Sequence, residues 1–191
     1  MKSVCVFCGS NVGRDPAYLH AAASAGEALA RAGVAVVYGG GKIGLMGAVA
    51  DAALAAGGRV IGVMPRELFE REIGHPGLDE LRVVESMHER KQVMATLADG
   101  FLALPGGAGT LEEFFEQWTW AQLGIHAKPV GLLNAKNYFQ PLLALIEKIV
   151  AEGFMGRTYL DMLIVEPTVA PVLDRFRTYT PPPRKWQLPK P

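Results

Sequence analysis

Short apolar segments alternate with helical patterns along nearly the whole chain, and this alternation limits the fold more than any other feature. The mainly apolar runs that predict strands are residues 4–8, 34–38, 59–64, 81–84, 101–104, 129–133 and 162–165. Nearly all of their side chains are apolar, so both faces of each strand must be covered. The sequence therefore predicts an α/β fold, a Rossmann-like doubly wound parallel sheet in a single domain.

Local signals place the helices between these strands. Asp15 and Pro16 predict the N-cap and first turn of a helix that Gly33 ends. Ser86 and Glu89 form a capping box for a helix that reaches about residue 98. The remaining helices are predicted at 45–56, 110–123, 138–152 and 168–179.

Two segments fall outside this alternation. Residues 65–80 are polar and contain several prolines and glycines, which predicts a long loop of the kind that tends to be functional. Residues 181–191 contain five prolines and predict an extended tail after a domain that spans 1–180.

The charge balance excludes some classes of partner. Lysine plus arginine and aspartate plus glutamate both number 19, which argues against a protein that mainly neutralises a nucleic-acid polymer. No apolar run reaches the roughly 20 residues of a membrane span. The apolar start of the chain is too short for a signal peptide, so we expect a cytoplasmic protein with no membrane partner.

The two cysteines, Cys5 and Cys8, have C-x-x-C spacing but lie in a predicted strand. A zinc site needs about four ligands, and no second Cys or Cys/His pair completes one. Residues three apart on a strand point to opposite faces. We therefore predict two small buried side chains and no metal site.

Three glycine-rich loops, 9–13, 39–44 and 106–110, each follow a predicted strand. Such loops share one edge of a doubly wound sheet, where their backbone N–H groups can approach an anion. The alternative is that they are only tight turns. Loop 39–44 matches G-x-G-x-x-G, but it follows the second strand and no acidic residue ends the next one, so NAD binding is not favoured.

Charged residues flank these loops. Arg90 and Lys91 fall in the first turns of a helix, where each cation is unfavourable by about 0.3–1 kcal/mol unless an anion lies nearby. The alternative is two solvated surface charges, and His88 is predicted to be structural or at the surface. Glu112 and Glu113 follow the third loop, where a carboxylate would address a positively charged part of a ligand whose phosphate the loop holds. The alternative is that both are ordinary acidic partners of the helix dipole.

Four segments together carry a family resemblance. Residues 105–113 match P-G-G-x-G-T-x-x-E, and segments 6–10, 38–47 and 87–91 occur in the same order as in that family. The chain resembles the Lonely Guy (LOG) family of cytokinin riboside 5′-monophosphate phosphoribohydrolases, often labelled lysine decarboxylases, over about residues 4–180. Asn11 stands where many members have serine.

The resemblance implies hydrolysis of the N-ribosidic bond of AMP or of N6-modified riboside 5′-monophosphates, giving the base and ribose 5-phosphate. It also implies a homodimer without a metal or organic cofactor, and Arg90 and Glu113 as the catalytic pair. The implied substrate-binding residues are Glu72, Lys91, Gly106, Gly107, Ala108, Gly109, Thr110 and Thr119. The other two glycine loops add Gly9, Ser10, Gly40 and Gly41 as candidates.

The chemistry of the reaction agrees with this assignment. Cleavage of a ribosidic bond builds positive charge on the sugar, which a carboxylate stabilises. Glu113 has the right sign for that role, whereas Arg90 would hold phosphate or position the base and water. Decarboxylation normally needs pyridoxal phosphate, for which the sequence offers no convincing site. The alternative function is a carrier that binds a nucleotide or phosphorylated cofactor with the same loops without catalysis; an interaction module acting through the tail is a third.

Overall fold

A computed structural model describes residues 1–71 and 74–183. The strands are β1 (Ser3–Phe7), β2 (Ala35–Tyr38), β3 (Val60–Pro65), β4 (Glu80–Val84), β5 (Phe101–Ala103), β6 (Val130–Leu133) and β7 (Ile164–Glu166). The helices are α1 (Pro16–Arg31), α2 (Gly44–Ala55), α3 (Arg66–Glu70), α4 (Met87–Leu97), α5 (Ala108–Leu123), α6 (Gln140–Ala151), α7 (Arg157–Asp161) and α8 (Val169–Arg177). A single 3₁₀ turn covers Ala135–Asn137.

All neighbouring strands pair in parallel, in the order β4-β3-β2-β1-β5-β6-β7. The direction in which successive strands are added reverses between β1 and β5. Sheets of this kind bind ligands beyond the carboxyl ends of the strands at such a switch point. The predicted Rossmann-like fold is confirmed.

Helices cover both faces of the sheet. Val4 and Val6 of β1 belong to one core, with side chains from α1, α2 and α8. Cys5 and Phe7 belong to the other, with side chains from α4, α5, α6 and α7. Because β1 is central and buried on both faces, it contains no exposed position that would interrupt its apolar run.

The cysteines behave as predicted. Both are buried and unbridged, and they contribute to opposite cores. Burial, followed by the negative charge of Glu113, raises the pKa of the Cys8 thiol. Neither thiol is therefore suited to thiolate chemistry.

The segment predicted to be a long loop is more ordered than expected. β3 continues through Pro65, and the five residues Arg66–Glu70 form α3. Gly74 then forms an antiparallel bridge with Gly41, which ties the end of this segment to the second glycine loop.

Several other boundaries differ from the prediction. α7 was not predicted, and α6 begins at Gln140 rather than at residue 138 because a 3₁₀ turn precedes it. Residues 181–183 have no regular secondary structure, and the rest of the predicted tail lies outside the described residues. None of the helices described is both long and apolar enough to cross a bilayer.

Candidate active site

The three glycine loops meet at the carboxyl edge of the sheet. The amide of Gly9 donates to the carbonyl of Pro105 at 3.1 Å, and the amide of Leu45 donates to the carbonyl of Gly9 at 3.0 Å. A Cβ on Gly106 would lie 2.2 Å from the hydroxyl of Thr110 and 2.8 Å from the amide nitrogen of Gly9. The loops approach so closely that this position requires glycine.

The third loop leads directly into α5 and leaves the first amides of that helix open. Gly107 is the N-cap and supplies no side-chain cap, and a Cβ on either Gly107 or Gly109 would meet no atom within 4 Å. Among the described residues, no hydrogen bond is donated by the amides of 107–110. Gly107, Ala108 and Gly109 are exposed, whereas Thr110 is buried behind them. This arrangement is suited to an anion.

The structure brings the predicted catalytic pair together. The Arg90 guanidinium lies 3.5 Å from the Glu113 carboxylate (Nη1 to Oε1), and both side chains are only 12% exposed. Arg90 also donates from Nε to the carbonyl of Val63 at 3.1 Å. A Cβ on Gly39 would lie 2.1 Å from its Nη2, so the guanidinium packs on the second glycine loop.

The carboxylate of Glu113 is held in a partly desolvated place. Burial raises the pKa of Glu113, while the positive charge of Arg90 opposes that shift and the negative charge of Glu112 adds to it. A carboxylate with a raised pKa is a better proton acceptor than an ordinary surface glutamate. The site therefore places a carboxyl group of raised pKa beside a fixed cation.

Lys91 has partners that the sequence did not reveal. Its Nζ lies 2.5 Å from Oε1 of Glu112 and 2.9 Å from Oε1 of Glu116, with only 10% of its side chain exposed. Partial burial alone would lower the pKa of Lys91, but hydrogen bonds and charge from both carboxylates raise it. The prediction that a bound anion offsets Arg90 and Lys91 is therefore incomplete, because carboxylates of α5 already supply negative charge.

Among the charged residues at the candidate site, Glu116 is the one that the sequence did not predict. It lies four residues after Glu112 and three after Glu113, so the three carboxylates share one side of α5. That spacing was visible in the sequence. Its significance depended on Lys91 of α4 facing the same side, which only the packing of the two helices reveals.

The remaining predicted residues divide into two groups. Gly40 and Gly41 are buried in the second loop, where the hydroxyl of Tyr38 donates to the carbonyl of Gly41 at 3.2 Å, and Ser10 is exposed in the first loop. Thr119 is exposed. It lies about 9 Å further along α5 than Glu113 and on a different side of the helix, so this chain does not place it beside Arg90 and Glu113.

Other residues considered from the sequence have simple positions. His88 is exposed, as predicted, and Met94 and Trp118 are buried in the core. Glu72 lies outside the described residues. Within residues 1–71 and 74–183, no three His, Cys, Asp or Glu side chains cluster so as to hold a metal ion.

Comparison with known proteins decides the family. The family model described as "Possible lysine decarboxylase" matches residues 46–176. A rice (Oryza sativa subsp. japonica) protein named "Cytokinin riboside 5'-monophosphate phosphoribohydrolase LOG" is 47% identical over 94% of this chain and 74% of its own length. The chain belongs to the Lonely Guy family. An Arabidopsis thaliana Lonely Guy protein, "Cytokinin riboside 5'-monophosphate phosphoribohydrolase LOG3", is 46% identical over 94% of this chain and 84% of its own length.

Solved structures share the fold at lower identity. "The structure of the molybdenum cofactor binding protein from the phototrophic bacterium Rippkaea orientalis" has a TM-score of 0.71 and 21% identity, covering 93% of this chain and 97% of that one. A molybdenum cofactor carrier protein from Chlamydomonas reinhardtii has a TM-score of 0.71 and 22% identity, covering 93% and 99%. At these identities the likeness concerns the Rossmann-like architecture of the Lonely Guy chain alone.

Proposed function

We propose that this Lonely Guy protein hydrolyses the N-ribosidic bond of cytokinin riboside 5′-monophosphates and of AMP, releasing the free base and ribose 5-phosphate. The observation that carries the proposal is the Arg90–Glu113 pair, with 3.5 Å between its charged groups, beside the open amides at the start of α5. Identities of 46–47% to relatives named as phosphoribohydrolases support it.

The positions of these groups match the charges of the reaction. The oxygen of water bonds to C1′ of the ribose, the C1′–N bond breaks, and its electron pair leaves with the base. As positive charge builds on the sugar, the Glu113 carboxylate stabilises it and takes a proton from the attacking water. The 5′-phosphate on the amides of 107–110 supplies binding energy away from the bond that breaks.

Arg90 has the wrong charge to face the cationic sugar, so its role is to position other groups. Its bond to the Val63 carbonyl fixes the guanidinium at the end of β3. From there its positive charge opposes the effect of burial, which raises the pKa of the Glu113 carboxyl. Its remaining N–H groups are donors for the base or for water.

The decarboxylase description of the family model does not fit the lysine at this site. A lysine that forms a Schiff base needs a lowered pKa. Although partial burial acts in that direction, Glu112 and Glu116 together raise the pKa of Lys91. Lys91 is therefore a fixed cation, suited to contacting a phosphate or balancing the carboxylates.

Product analysis separates the enzyme from a carrier that uses the same loops. The protein is incubated with AMP and with N6-isopentenyl-AMP, and the free base is followed by chromatography. We expect base release from both, and the ratio of the two kcat/KM values establishes the preferred substrate. Nucleotide binding without base release would favour the carrier and contradict the proposal.

Two matched variants of α5 test the role of Glu113. Glu113→Gln should abolish turnover while nucleotide binding is largely kept, because it removes the charge but not the shape. Glu112→Gln is the control, since the side chain of Glu112 is 56% exposed and pairs with Lys91 rather than with Arg90. If Glu113→Gln keeps the wild-type kcat, the assignment is wrong.

A cytoplasmic homodimer completes the proposal. Large apolar side chains remain exposed among the described residues, among them Met87 at 47% and Ile125 at 63%, and a second copy would cover such area. Light scattering after gel filtration should give twice the 20.5 kDa mass of the chain. A single-chain mass across micromolar concentrations would contradict the dimer.

A further inference from the structure

Tyr138, which is not among the predicted site residues, is hydrogen-bonded to the third glycine loop. We propose that Tyr138 is a positioning residue for the nucleotide phosphate, because its hydroxyl fixes the peptide group that presents the amide of Gly107. The hydroxyl donates to the carbonyl of Gly106 at 2.6 Å, the short end of the range for such bonds. This inference rests on the proposed function.

Tyr138 stands in the cavity at the switch point of the sheet. That cavity has a volume of about 280 Å³ and is lined by residues 9–13 of the first loop, 105–107 of the third, Tyr18, Leu45 and Tyr138. The rings of Tyr18 and Tyr138 meet edge to face with centroids 5.5 Å apart. The cavity thus joins the two loops that follow β1 and β5, the position at which doubly wound sheets bind ligands.

The backbone before Tyr138 has an uncommon conformation that directs the ring to this place. Lys136 and Asn137 both have positive φ, 52° and 58°, which is rare for two successive residues other than glycine. An ion pair between Lys136 and Asp15 and a bond from the Phe139 amide to Oδ1 of Asn134 hold the turn. Strain of this kind persists only where surrounding contacts fix it, and it clusters at functional sites.

The bond to Gly106 has a direct consequence for the next amide. In a trans peptide the carbonyl of Gly106 and the N–H of Gly107 point in opposite directions. With Tyr138 holding the carbonyl, the N–H of Gly107 is directed away from the tyrosine, and it meets no acceptor among the described residues. Tyr138 therefore prepares this amide for a phosphate oxygen without touching the ligand's reacting atoms.

Two tyrosine-to-phenylalanine variants test the inference. Tyr138→Phe removes the bond to Gly106 and keeps the ring, so KM for AMP and Kd for ribose 5-phosphate should rise about fivefold, as for loss of one orienting hydrogen bond. We expect kcat to change less than twofold and Kd for adenosine, which lacks the phosphate, to stay unchanged. Tyr179→Phe is the control, because Tyr179 packs against the cores and does not line this cavity.

The outcomes separate this inference from the proposed function. If Tyr138→Phe matches Tyr179→Phe in every measurement, or weakens the binding of adenosine and of ribose 5-phosphate equally, the positioning role is overturned. If the wild type releases no base from any nucleotide, the proposed function fails. The binding of ribose 5-phosphate still tests Tyr138 in that case, because that measurement needs no turnover.

Discussion

Adding one methyl group to Gly109 distinguishes an anion-binding loop from a tight turn. Gly109 is the second residue of α5, its φ is not positive, and a Cβ there would meet nothing within 4 Å. The fold therefore does not need glycine at this position. Gly109→Ala should raise the free energy of unfolding by about 0.4–1 kcal/mol, as expected for a compatible helical site. For a chain of this size that corresponds to a rise in Tm of roughly 1–4 °C.

The same methyl group should weaken phosphate binding. Because Cβ atoms of a helix tilt toward its N-terminus, the methyl group would narrow the space beyond the first amides of α5, where phosphate oxygens must come within about 3 Å of nitrogen. Loss of one charge-assisted hydrogen bond costs about 1.5–3 kcal/mol, or roughly 10- to 100-fold in affinity. Calorimetric titration with AMP and with adenosine, and thermal melts without ligand, measure both effects. Only the affinity for AMP should fall.

Gly106→Ala is the matched contrast. Its methyl group would lie 2.2 Å from the Thr110 hydroxyl, so the loop must shift and stability should fall by about 1–3 kcal/mol together with affinity. If Gly109→Ala binds AMP as tightly as the wild type does, the amides at the start of α5 do not face the phosphate. The loops would then be no more than turns.

Three further predictions concern charged side chains. Because burial raises the pKa of Glu113, folding favours its protonated form, and its contribution to stability falls as pH rises through that pKa. Glu113→Gln should therefore raise Tm at pH 7 but not below the ordinary glutamate pKa of about 4.3. Equal Tm differences at both pH values would contradict this. Asp15→Ala removes the bond from Asp15 Oδ1 to the Ala17 amide at the start of α1 and should cost about 1 kcal/mol in urea unfolding, whereas an unchanged midpoint would contradict the cap. A double-mutant cycle of Lys91 and Glu112 should give a coupling free energy below about 1 kcal/mol, because the side chain of Glu112 is 56% exposed and solvent screens the ion pair. A coupling free energy above about 2 kcal/mol would contradict this.

The parts of the fold that follow from local chemistry were predictable. The buried strands have continuous apolar runs, and the capping side chains of Asp15 and Ser86 accept bonds from Ala17 and Glu89 as their sequence positions indicate. α3 and α7 have only five residues each, too short to show a helical period, and were missed. The sequence predicts a loop from Pro65, but this residue ends β3 and occupies the N-cap position of α3.

Site residues could be predicted only where they lie in one continuous sequence motif. The glycine loops and Glu113 lie in continuous motifs, whereas the partners of Lys91 depend on how α4 packs against α5. The sequence predicts a helix that begins at Tyr138, since no local rule indicates a left-handed backbone at Lys136 and Asn137. Lys136 also forms an ion pair with Asp15, 121 residues away in the chain, which no local pattern could indicate.

A crystal structure of Glu113→Gln with N6-isopentenyl-AMP tests the central claim most directly. We expect phosphate oxygens on the amides of 107–110, and the side chain at position 113 within about 3–4 Å of the anomeric carbon or of a water in line with it. A nucleotide bound with its phosphate elsewhere, or a residue 113 that faces the protein interior, would contradict the proposed chemistry.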